Sequence, residues 1–139
     1  MRALQPYAVV ALGSGLGALA RYGVGLAFAG AAFPWATLIA NVAGSVLIGA
    51  WFALTGPSGA IAITDLQRQF VVAGFCGGFT TFSIFSLETL ELAAAGATGT
   101  AAANVALSAV LWMAGVWVGV AAGGAIARRQ ARDRSRRSG

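Results

Sequence analysis

Between residues 3 and 127 the chain carries only five charged side chains: Arg21, Asp65, Arg68, Glu88 and Glu91. So few charges cannot cover the surface of a water-soluble globule of that length, whose exposed apolar area would drive aggregation. The other charges sit at the two ends, at Arg2 and in the run from Arg128 to Arg137. Across the chain 58% of residues are hydrophobic and 9% charged, against roughly 45–50% and 25% in soluble domains. The solvent for most of this sequence is lipid.

The side-chain inventory closes several chemistries. There is no His, the single Cys76 has no partner in the chain, and the four acids are scattered. A disulfide framework, a His/Cys zinc cage and a Ser-His-Asp triad are therefore excluded within one chain. No Gly-x-x-x-x-Gly-Lys-Ser/Thr phosphate loop occurs, so an ATP-driven pump is not expected, nor is an enzyme.

A hydrocarbon core of roughly 30 Å needs about 20 apolar residues per helical crossing. The chain supplies four such stretches, approximately 7–28, 35–54, 70–95 and 101–127, which predicts an all-α membrane domain over 1–127. The longest and most polar connection carries Gly56, Pro57, Gly59, Asp65 and Arg68. Four crossings put both termini and this connection on one side, together with eight of the nine Arg; only Arg21 falls inside a span. The tendency of Lys and Arg to stay in the cytoplasm predicts both termini on the cytoplasmic side of a cell membrane. Residues 128–139 read as a disordered, Arg-rich tail that touches anionic headgroups; without interleaved aromatics it gives no reason to expect nucleic-acid binding.

Every span holds closely spaced glycines, which let helix backbones approach where no hydrophobic force between helices exists. In the third span packing alone does not account for the pattern Gly74-Phe75-Cys76-Gly77-Gly78-Phe79-Thr80-Thr81-Phe82-Ser83-Ile84-Phe85-Ser86. Two Gly followed by two Thr weaken a helix at mid-membrane depth, predicting a break there. Irregular backbone survives at that depth only where it lines a cavity or binds something. Carbonyls near Gly77 and Thr80 would lose their amide partners and suit a dehydrated monovalent cation or an ordered water. Phe82 and Phe85 share a helix face, and ring edges carry partial positive charge that favours an anion. Thr81, Ser83 and Ser86 add hydroxyls nearby. In the second span Asn41 shares a face with Thr37, and a buried amide in lipid either joins helices or meets a substrate.

Three segments carry a resemblance that covers nearly the whole chain. They are Gly17-Ala18-Leu19-Ala20-Arg21-Tyr22, Thr37-Leu38-x-x-Asn41-x-x-Gly44-Ser45, and the third-span motif extended through Glu88-Thr89. Together they resemble the Fluc (CrcB) family of fluoride channels. The resemblance implies four-helix subunits paired as an antiparallel dimer, passive fluoride export, and a structural Na+ held by backbone carbonyls. By motif position, Gly77 and Thr80 would supply those carbonyls. Phe82, Phe85 and Asn41 would line the fluoride pathway, with Thr81, Ser83 and Ser108 beside them. The fourth span departs from the family pattern, carrying Asn104 where a Tyr is usual, then Ser108 and Trp112. Arg21 and Glu88 are expected as partners in a vestibule.

Two other functions compete. A small proton-coupled multidrug exporter also has four spans, but needs a carboxylate in the first span, where this chain has none. A non-transporting scaffold with a basic tail would need neither Phe82, Phe85 nor Asn41. The Arg imbalance also bears on the dimer: a subunit held in one orientation would pair with an oppositely oriented paralogue rather than with itself.

Overall fold

The computed structural model describes residues 4–56 and 59–137; Arg2, Pro57 and the last two residues of the tail lie outside the described residues. The helices are α1 (Gln5–Ala27), α2 (Trp35–Thr55), α3 (residues 65–79), α4 (Ser83–Ala94) and α5 (Thr98–Arg137). Within α3, Asp65–Arg68 and Gly77–Phe79 are α-helical and flank a π-helical stretch, Gln69–Cys76. α3 and α4 form one interrupted span, so four segments are long and apolar enough to cross a membrane. No strand occurs among the described residues. The chain is an all-helical, multi-pass membrane protein.

Local sequence sets most of the boundaries. Pro6 lies in the first turn of α1, where its missing N–H costs no intrahelical bond. α3 begins at Asp65 rather than at the expected Phe70, because Thr64 and Gln67 form a reciprocal capping box with Asp65 in the first turn. α4 ends at Ala94, two residues before Gly96, whose φ of 81° is the left-handed geometry that terminates helices; the following Ala97 amide donates back to Leu92. α5 does not stop at residue 127. It runs through the Arg-rich segment that the sequence reading left disordered, since Arg, Gln and Ala all favour helix and no Pro intervenes. Near its end Arg134 Nη2 donates to the Ala60 carbonyl at 3.5 Å, so the tail and the α2–α3 connection share one end of the bundle.

The helices pack in two parallel pairs. Gly13 and Gly17 of α1 meet Gly74 and Gly78 of α3 in the same order, and Gly115, Gly119 and Gly123 of α5 run alongside α2 from Val42 to Ala53. The approach is backbone to backbone. A Cβ on Gly17 would overlap the Phe75 carbonyl oxygen, and one on Gly119 would overlap that of Val46. This is the small-residue solution to helix association in lipid, where dispersion contacts must do what water expulsion does elsewhere. Large side chains such as Leu12, Leu19, Val110 and Trp117 point outward.

Candidate functional site

The third span is interrupted over residues 80–82. Thr80 is extended (φ −85°, ψ 160°), and the helix resumes at Ser83. Four hydrogen bonds are redirected there. The Thr81 amide, which in a continuous helix would donate to Gly77, donates instead to Asn41 Oδ1 at 2.7 Å. The Ile84 amide, which would have reached Thr80, bonds to Thr81 Oγ1 at 3.2 Å, making that hydroxyl the cap of α4. Asn41 Nδ2 returns a bond to the Thr81 carbonyl at 2.8 Å. Arg21 Nε donates to Gly78 O at 3.3 Å, setting a cation at the carboxyl end of α3, where the helix dipole is negative. The carbonyls of Gly77 and Thr80 thus both lose the amide they would have had in an unbroken helix.

One face of α2 holds this break over three successive points. Thr37 Oγ1 donates to Glu88 Oε1 at 2.9 Å, Asn41 makes its pair of bonds to Thr81, and Gly44 clears space for the Thr80 methyl. The spacing 37, 41, 44 is one helical stripe. Asn41 is buried and acts here as a clamp on the main chain, with one N–H left over after its bond to Thr81.

The structure brings Asn41, Gly77, Thr80, Thr81 and Phe82 onto a single open cavity of about 350 Å³, together with Trp112. Phe82 is 70% exposed on this face, while Phe85 is 8% exposed behind it, with ring centroids 5.5 Å apart. Phe85 in turn meets Trp112 edge-on at 4.9 Å. Ser83 lies outside the cavity, exposed, with its hydroxyl 3.3 Å from that of Thr81, and Ser86 donates to the Phe82 carbonyl. Ser108 is buried off the cavity, in the fourth span.

Arg21 and Glu88 line a separate cleft of about 420 Å³, but the expected pairing between them is not made. Arg21 is drawn to the broken end of α3, and Glu88 takes its hydrogen bond from Thr37. Asn104 also finds a structural partner: its Nδ2 donates to Thr89 Oγ1 at 2.8 Å, and Thr89 donates to the Phe85 carbonyl, tying α5 to α4. Sequence reasoning did not anticipate that Arg21 would serve the break, or that Gly44 would seat Thr80, because both contacts join residues far apart in the chain. No group of three or more His, Cys, Asp or Glu occurs among the described residues, so only uncharged oxygen donors face the interruption.

A family model described as CrcB-like protein, Camphor Resistance (CrcB), matches residues 8–120. The chain belongs to the CrcB family. A fluoride-specific ion channel FluC of Rhodospirillum rubrum is 51% identical over 116 residues, covering 81% of this chain and 90% of the relative. Fluoride-specific ion channel FluC 1 of Bradyrhizobium diazoefficiens is 50% identical over 119 residues, covering 85% and 84%. Fluoride-specific ion channel FluC 1 of Rhodopseudomonas palustris is 48% identical over 116 residues, covering 81% and 82%. The CrcB match spans α1 to α4 and reaches well into α5, so it includes every residue of the interrupted span.

Proposed function

We propose that this chain is the subunit of a passive, fluoride-selective channel that lowers cytoplasmic fluoride. The observation that carries the reading is the interrupted third span, with two aromatic rings and a buried amide beside it, in a CrcB chain about half identical to proteins named fluoride-specific channels. Fluoride is small and strongly hydrated, so passage needs donors that replace water without holding the ion too firmly. Hydroxyl, amide and ring-edge groups supply this, and no Lys or Arg lies within α2, α4 or the membrane part of α5 to trap an anion. Phe82, Phe85 and Asn41 are the assigned pathway residues, with Thr81, Ser83 and Ser108 beside them. Fluoride that enters as the neutral acid and ionises inside would leave down its gradient.

The functional unit on this reading is an antiparallel dimer. The carbonyls of Gly77 and Thr80 cannot face acyl chains without remaining unsatisfied, so the face bearing the 350 Å³ cavity must be covered by protein. A second subunit is the cover proposed. A structural Na+ fits the same face: the carbonyls of Gly77 and Thr80 are neutral, hard donors without their helical amides, which suits a monovalent cation. Bound there, the ion would neutralise main-chain dipoles at the interface and take no part in transport.

The deciding experiment is fluoride efflux from liposomes holding the purified protein, followed with a fluoride electrode beside a chloride control. Fast fluoride release with chloride retained is expected. Equal leakage of both ions would reject selectivity, and release requiring a proton gradient would favour the exporter.

A further inference from the structure

We propose that the base of the Arg-rich extension of α5 is a binding site for the phosphate group of an anionic phospholipid, formed by Arg128, Arg129 and Arg132. These three side chains, with Ala125 beneath them, wall a cleft of about 170 Å³. Helical spacing gathers them: positions 125, 128, 129 and 132 are three or four apart and share one patch of the helix surface. The CrcB match ends at residue 120, before this segment begins.

The cleft faces away from the protein. Gly115, Gly119, Gly123 and Ala127 are buried at four-residue intervals and mark the face of α5 that packs on the bundle. Arg134 lies seven residues beyond Ala127 on that same face and gives its hydrogen bond to the Ala60 carbonyl. At about 100° per residue, Arg128, Arg129 and Arg132 stand roughly 100–200° round the helix from Ala127, and all three are exposed.

The depth is that of a lipid headgroup. Gly123 still meets Ala50 and Ala53 of α2, and α2 ends at Thr55. Arg128 follows Gly123 by a rise of about 7.5 Å, comparable with a headgroup layer of roughly 5–7 Å on each side of the hydrocarbon. Its side chain also lies back toward the membrane, with Nη1 3.2 Å from the point that a Cβ on Gly124 would occupy. The bare position at 124 therefore leaves room for a guanidinium beside the last apolar turn.

The chemistry selects a phosphate. A guanidinium presents paired N–H donors that match two phosphate oxygens, and it stays charged at any physiological pH. Three of them oppose one carboxylate in this segment, Asp133, which is not on the cleft wall. The excess of positive charge favours a headgroup with net negative charge over a zwitterionic one, which brings its own cation. An anionic leaflet supplies such phosphates at this depth.

The test uses the full purified chain in mixed micelles, with bound lipid read by native mass spectrometry. With phosphatidylglycerol and phosphatidylcholine at equal concentration, preferential retention of phosphatidylglycerol by the wild-type protein is expected. Replacing Arg128, Arg129 and Arg132 together by Gln is expected to weaken that binding roughly 100-fold, since each basic residue near an anionic surface counts for about fivefold. Arg136→Gln removes a charge about 12 Å beyond Arg128, more than the screening length of about 8 Å, and is expected to bind within about twofold of wild type. The proposal falls if the triple variant retains the lipid as wild type does, if Arg136→Gln costs as much as the triple variant, or if the two lipids are retained equally. Displacement of the lipid by millimolar inorganic phosphate would assign the cleft to a soluble anion and overturn the choice of ligand. If the triple variant is not monodisperse on gel filtration, the single replacement Arg132→Gln stands in for it, with a loss of about fivefold expected and unchanged binding overturning the proposal.

Discussion

Asn41 does for Thr81 what a neighbouring β-strand would do, accepting from its N–H and donating to its carbonyl. Asn41→Ala leaves both main-chain groups unpaired, at a cost of about 1–3 kcal/mol for each buried group left unsatisfied. A lower thermal midpoint in detergent and strongly reduced fluoride efflux are expected together, whereas efflux reduced at unchanged midpoint would give Asn41 a role in the pathway alone. Phe82→Ile combined with Phe85→Ile keeps apolar bulk and removes both rings. Flux should vanish while the dimer persists on size exclusion; unchanged flux would remove the rings from the mechanism. Asn41 was visible in the sequence as a buried amide on the Thr37 face, but its partner forty positions away was not. The bond from Arg21 to Gly78 was hidden for the same reason: nothing local to Gly17–Tyr22 says that a broken helix end lies alongside.

At the scale of elements, four apolar stretches and the Gly-Gly-x-Thr-Thr interruption were legible because membrane thickness and helix propensity act locally. The π-helical stretch Gln69–Cys76 was not, since widening a helix by one residue per turn leaves no mark on composition. The capping box at Thr64 leaves no trace in hydropathy, so the helix starts ahead of its apolar run. Glycine spacing was read as packing, and the parallel pairs confirm its reach. Gly119→Leu should separate α2 from α5, seen as loss of monodisperse protein on gel filtration, because any side chain there collides with the Val46 carbonyl. Gly15→Ala meets open space on α1 and should be neutral or stabilising by up to about 1 kcal/mol in thermal melts. Equal behaviour of the two variants would refute the close-approach argument.

For the whole molecule the unresolved choice of partner turns on charge. Eight Arg fall outside the spans and one inside; a bias of that kind that held the chain in one orientation would call for a paralogue of opposite orientation as the second subunit, and dual insertion would allow a homodimer. On the heterodimer alternative, protein purified from cells expressing this chain alone would release fluoride from liposomes only once the partner is co-expressed. Full release by the lone polypeptide would establish a homodimer.

The length of α5 sharpens that question. Forty residues make a rod of about 60 Å, twice a hydrocarbon thickness of roughly 30 Å, so its final turns stand in the electrolyte like a mast. Arg128 and Arg136 ride on it about 12 Å apart, farther than the screening distance of about 8 Å at physiological salt. Charges at that separation are screened from one another, so the extension carries its positive charge as a graded column rather than as one cluster.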